Sequence, residues 1–131
     1  MNGIARVAAL VAALAHIGTA PLEMFLFTRP AARRFLHVEV ENVPDVQMWA
    51  FVVGFRNLLA GIGILIGLTI LQVGDEQVGR TVVLTAAAYM LFASLAMGIA
   101  DLLGLWRPRG GSVLGTIASS APPLVVLLAA A

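Results

Sequence analysis

The sequence has no cysteine, no lysine, a single tyrosine and few charges of either sign. Without cysteine there is no disulfide framework, thiolate metal site or cysteine nucleophile, and the redox compartment cannot be read. Charged residues make up 11% of the 131 positions and hydrophobic ones 60%, against roughly 25% charged in soluble domains. That composition belongs to a membrane protein. The eight basic residues are all arginine, and most sit between apolar runs instead of forming a basic face, which excludes a nucleic-acid footprint. Only His16 and His37 could supply imidazole to a metal, and they fall at opposite depths with no H-E-x-x-H or comparable spacing. No nucleophile with a nearby base, phosphate loop or cofactor box is present, so no cofactor is expected. There is also no internal repeat, since neither charges nor prolines match between the two halves, which argues against an inverted-repeat transporter.

What the sequence does have is four apolar segments: 4–27, 46–71, 81–105 and 112–131. At 1.5 Å of rise per residue, each can cross a hydrocarbon core of about 30 Å. They form one transmembrane domain over 1–131 and leave no room within it for a soluble one. The expected fold is an all-α, integral membrane four-helix bundle. The first segment resembles a secretory signal with Arg6 as its n-region, but it is too long and contains His16 and Glu23, so a retained helix is expected. Arg29, Arg33 and Arg34 in the first connection, with Arg107 and Arg109 in the third, outnumber Arg6 and Arg80 at the opposite ends. By the positive-inside rule, loop 28–45 is cytoplasmic and both termini are outside. Trp49 and Trp106 fit an aromatic belt at that inner interface.

Within loop 28–45, Leu36, Val38 and Val40 alternate with His37, Glu39 and Glu41, a pattern suited to a short extended segment or hairpin; a plain interfacial loop fits equally. Pro44 followed by Asp45 reads as a helix start with Asp45 as N-cap. Gly74, Asp75 and Glu76 form the outer turn, and Pro108, Gly110 and Gly111 the last inner one. Pro122 and Pro123 should kink the fourth helix, with Ser119 and Ser120 satisfying the freed carbonyls.

Ionisable groups inside apolar spans are expensive and call for partners. His16 and Glu23 are seven residues apart, so they share a helix face about 10 Å apart along the axis. Ala9, Ala12, Thr19 and Ala20 complete a stripe of small residues of the kind that packs helices closely. Arg56 and Asn57 lie on the second span, which also carries Gly54, Gly61, Gly63 and Gly67, and Asp101 lies on the third. An unpaired guanidinium in lipid costs about 3 kcal/mol, so Arg56 is expected to pair with Glu23, with Asp101 joining the cluster. Such a cluster either fixes helix register or borders a cavity that binds a cation, a proton or a head group. His16 is either a hydrogen bonder to a neighbouring helix or a proton relay.

His16 with Leu22-Glu23-Met24-Phe25, then Arg33-Arg34-Phe35, the block Gly54-Phe55-Arg56-Asn57-Leu58-Leu59-Ala60-Gly61 and the ending Ala121-Pro122-Pro123-Leu124 resemble the short bacterial four-helix membrane proteins grouped as domain of unknown function 1304. The resemblance spans nearly the whole chain. It implies a four-helix fold and a place in the bacterial inner membrane, and it supplies no reaction. Where that family shows an Asn-Gln pair and a Gly-Leu-Tyr-Asn core, this chain has Val52-Val53 and Arg56, while Asn57 is kept. The resemblance therefore implies a cation in place of neutral hydrogen bonders.

The expected function is non-enzymatic: a binder of a small ligand or lipid, or an accessory subunit, in contact with the bilayer and assembling as a homodimer or within a larger membrane complex. The glycines from Gly61 to Gly67 offer a face for such association. His16, Glu23, Arg56, Asn57 and Asp101 are the candidate ligand or proton-relay residues. A small proton-coupled exporter using Glu23 is the first alternative. It resembles the small multidrug resistance proteins in its four spans and membrane glutamate, but lacks their aromatic cage. A membrane acid-base enzyme of isomerase type, using His16 with Glu23 or Asp101, is the second.

Overall fold

A computed structural model describes residues 1–130. Five α-helices follow one another: α1 (Gly3–Met24), α2 (Pro30–Leu36), α3 (Val43–Val73), α4 (Glu76–Leu102) and α5 (Val113–Ala130), with a 3-10 turn at Val40–Asn42 before α3. Four of them are long and apolar enough to cross a membrane. The chain is an all-α, multi-pass membrane bundle. α1 packs on α3, α3 on α4, α4 on α5, and α5 closes the ring on α1, while α1 and α4 barely touch across the diagonal. Short connections between consecutive long helices impose this antiparallel order.

α1 turns small residues inward and large ones outward. Ala5, Ala9, Ala12, Ala13 and Ala20 of α1 are buried, whereas Val7, Leu10, Val11 and Leu14 on the same helix are exposed. In lipid the outward side chains meet acyl tails, so there is no hydrophobic gain in turning them inward. Close backbone approach and van der Waals packing decide instead. The glycines show where approach is closest. A Cβ on Gly61 would lie 2.6 Å from Ile17 Cγ1 and 2.9 Å from the Ala13 carbonyl, and one on Gly67 would lie 2.7 Å from Val83 Cγ2. Both glycines are therefore occupied within the chain, and the expected use of this face for an outside partner loses its basis. Gly63 has room, its added Cβ meeting only Ala86 at 3.8 Å.

Several local expectations change. Residues 36–43 form no extended segment. Pro30 in the first turn starts α2, His37 caps it in the left-handed conformation, and Val40–Asn42 is a 3-10 turn. Alternation over so few residues has no partner strand to pair with, and local turns satisfy the backbone instead. Asp45 lies inside the first turn of α3, where its charge complements the helix dipole, and Asn42 holds the cap position. Pro122 and Pro123 lie within a continuous α5. Ser119 Oγ donates to the Gly115 carbonyl at 2.8 Å and Ser120 Oγ to that of Ile117 at 3.5 Å, so the serines do not reach the carbonyls that the prolines free, those of Ala118 and Ser119.

One end of the ring holds the N-terminus and the last described turn of α5. The Met1 ammonium pairs with Glu76 at 3.0 Å, Asn2 Nδ2 donates to the Ala129 carbonyl at 2.6 Å, and Arg80 donates to the Ala130 carbonyl. The opposite end carries α2 and the α4–α5 loop. Arg33, Arg34 and Arg107 meet there, so the arginine-rich connections do lie together.

Candidate functional site: an interhelical carboxylate and a basic cleft

The intramembrane candidates do not form one cluster. α1 and α3 approach closely at Gly54, where a Cβ would lie 2.7 Å from Met24 Cγ and 2.9 Å from the Ala20 carbonyl. Gly54 and Gly61 define the face of α3 turned to α1, and Asn57, three residues after Gly54, shares it. Asn57 Nδ2 donates to Glu23 Oε2 at 2.8 Å. Arg56, two residues after Gly54, is rotated by about 200° at 100° per residue, and it is exposed on the outside of the ring. The expected Glu23–Arg56 pair is thus replaced by Glu23–Asn57. A double-mutant cycle of Glu23→Gln with Asn57→Leu should show coupling of about 0.6 to 1.7 kcal/mol in detergent unfolding, the range seen for hydrogen bonds between membrane helices. Glu23→Gln with Arg56→Met should be additive; coupling there would contradict this geometry.

Asp101 does not join either. It is buried at the end of α4 and accepts from the Gly110 N–H at 2.7 Å, the Ser112 N–H at 3.0 Å and Ser112 Oγ at 2.7 Å. The carboxylate ties the α4–α5 loop to the start of α5. His16 is also buried, and its Nδ1 donates to the carbonyl of Ala12 on its own helix at 2.9 Å. The expected bond from His16 to a neighbouring helix is absent among the described residues. A histidine four residues after a carbonyl on the same helix reaches it without help from another element.

Sequence reasoning missed a different constellation. At the arginine-rich end, a cleft of about 240 Å³ is lined by Arg33, Arg34, His37, Val38, Glu39, Arg107 and Pro108. Arg33 and Arg34 come from the last turn of α2, and Arg107 from the loop that Asp101 holds. The ring of His37, one of the lining residues, lies 6.2 Å from that of Trp106 and is tilted by 59° to it. A Cβ on Gly111 would come within 2.9 Å of His37 Nδ1 and 3.0 Å of Trp106 Nε1, so glycine is required there. Arg33 Nε and Trp106 Nε1 are buried donors without a partner. The signal in the sequence is the pair of arginine-bearing loops on one side, which reads first as an orientation marker. That they converge on one cleft is decided by the ring.

The profile of the family described as "Protein of unknown function (DUF1304)" matches residues 10–131. The chain belongs to this family. No curated protein and no solved structure matches it. The description of the DUF1304 family assigns no activity.

Proposed function

We propose that this DUF1304 protein is a non-enzymatic, multi-pass protein of the bacterial inner membrane that binds a lipid head group or small anionic ligand at the basic cleft. The observation that carries this reading is the convergence of Arg33, Arg34 and Arg107 on one cleft at an end of the ring. The cleft is below the roughly 300 to 1,000 Å³ of pockets for drug-sized molecules, a scale suited to a compact head group. Phe35, Leu103 and Leu105 are exposed on the segments that build it, and they supply apolar surface for acyl chains beside a polar site. Basic pockets at the cytoplasmic ends of helices are a recurrent solution for anionic lipids. In this reading the arginine-rich end is cytoplasmic and both termini face outward.

The test uses protein extracted in mild detergent and examined by native mass spectrometry. Wild type should retain anionic lipid, and the Arg34→Gln/Arg107→Gln variant, altered at two exposed positions, should retain several-fold less. Because the chain has no cysteine, a single cysteine at Glu39 is a clean reporter of side. It should label only after the membrane is permeabilised. Equal lipid retention by the variant would remove the proposal.

An exporter driven by Glu23 is the second reading, favoured by a half-buried carboxylate in an apolar helix. Asn57 already holds that carboxylate, and Ile64, Val83, Met90 and Val126 are fully buried in the core of the ring. No aromatic cage accompanies it among the described residues. For an acid-base enzyme, His16 is engaged with its own helix, Glu23 with Asn57 and Asp101 with a loop at the arginine-rich end. Association with a second copy or a larger complex is proposed to use the apolar outer surface.

A further inference from the structure

We infer that the ligand of the basic cleft is a phosphomonoester, the doubly charged phosphate of a phosphatidate-type head group or of free phosphate. This rests on the proposed role of the cleft as a binding site and narrows what it binds. Three arginines face one carboxylate, Glu39, among the lining residues, so the cleft carries an excess of two positive charges. A phosphomonoester bears about −1.5 to −2 at neutral pH, whereas the phosphodiester of an ordinary anionic lipid bears a single charge. The dianion is the better match.

Donor geometry points the same way. The arginines reach the cleft from two separate segments, α2 and the α4–α5 loop, so a ligand bound there draws donors from both. A phosphomonoester has three terminal oxygens to receive guanidinium donors, and arginine forks bind such oxygens in pairs. Arg33, a lining residue, has a desolvated and unpartnered Nε, and Trp106, beside Arg107 in the chain, has such an Nε1. Buried donors without acceptors are destabilising unless something accepts from them. A ligand with several acceptor oxygens engages the guanidinium of Arg33 through the part of that side chain that lines the cleft. Glu39 disfavours additional negative charge, so it sets an upper bound on the ligand as well as a balance.

The full-length protein, in nanodiscs of phosphatidylcholine, is titrated with inorganic phosphate. Parallel nanodiscs contain phosphatidic acid, a monoester, or phosphatidylglycerol, a diester, at equal mole fraction. Trp106 fluorescence in a Trp49→Phe background reports occupancy, and native mass spectrometry counts bound lipid. The expected result is that phosphatidic acid or inorganic phosphate binds about tenfold or more tightly than phosphatidylglycerol. Arg34→Gln and Arg107→Gln should each weaken that binding about tenfold, as loss of one charge-assisted contact does. Which of the two monoester sources binds identifies the ligand as membrane-borne or soluble. If phosphatidylglycerol binds as tightly as phosphatidic acid with the same dependence on arginine, the phosphomonoester assignment is overturned while the cleft stands as a head-group site. If no anion binds, or if the variants bind like wild type while their helicity and thermal stability are unchanged, both readings fall. Arg107→Lys keeps the charge and loses the planar fork, so binding at or above that of Arg107→Gln but below wild type is expected; binding equal to wild type would overturn the paired-donor geometry.

Discussion

Gly79→Ala is expected to destabilise the bundle by about 3 kcal/mol, the upper end of the range for overpacking a core. An added Cβ would stand 2.6 Å from the Leu71 N–H nitrogen and 2.8 Å from the Gly67 carbonyl oxygen. Both obstacles are backbone of the facing helix, which cannot rotate away as a flexible side chain can. α3 and α4 would have to separate, and with them the contact between Gly67 and Val83. Gly63→Ala is the matched control, because its new methyl meets only Ala86 Cβ at 3.8 Å. That variant should be neutral or gain up to about 1 kcal/mol from helix propensity. Unfolding in mixed micelles followed by circular dichroism separates the two. Equal stabilities would mean that α3 and α4 do not meet through these glycines.

The second large effect is expected at Asp101. Its carboxylate takes two backbone N–H groups and one hydroxyl, all from residues on the far side of the loop. Hydrogen bonds to a charged acceptor contribute about 1.5 to 3 kcal/mol each, and donors left buried without partners add a penalty. Asp101→Ala should therefore free the α4–α5 loop and lower the thermal midpoint of the bundle. Asp101→Asn should fall between, since its NH2 group faces donors it cannot satisfy. Hydrogen exchange gives the sharper measurement, as the Gly110 and Ser112 amides should lose protection in Asp101→Ala. The same substitution should weaken anion binding, because the loop that Asp101 holds carries Arg107 and Pro108 into the cleft. An Asp101→Ala protein with a fully protected loop would rule out the tether.

How much of this was legible in the sequence differs from residue to residue. The small stripe of α1 was readable, and Ala9, Ala12, His16 and Ala20 are indeed buried. The need of Glu23 for a polar partner on α3 was readable too, but the identity of that partner was not. Arg56 and Asn57 are neighbours in sequence, and a charge-matching rule chooses the arginine. Close contact at Gly54 and Gly61 turns the asparagine inward. For Asp101, the Pro-Arg-Gly-Gly turn was visible as a turn, yet what it folds back upon depends on its backbone path, including positive φ at Gly104 and Gly110. Local signals do not encode that path.

By itself, the sequence determined the number of long apolar helices, the all-α class and the segregation of arginines to one set of connections. These follow from hydropathy and charge counted along one dimension, and lipid enforces them because each span must satisfy its own backbone. Only the tertiary structure decided which faces meet and what gathers at the ends. Helix rotation is set by close packing of glycine and alanine backbones, a property of pairs of helices that no single segment carries. That rotation, with the closing of α5 onto α1 and the Asp101 tether, brings Arg33, Arg34 and Arg107 from opposite halves of the chain to one cleft.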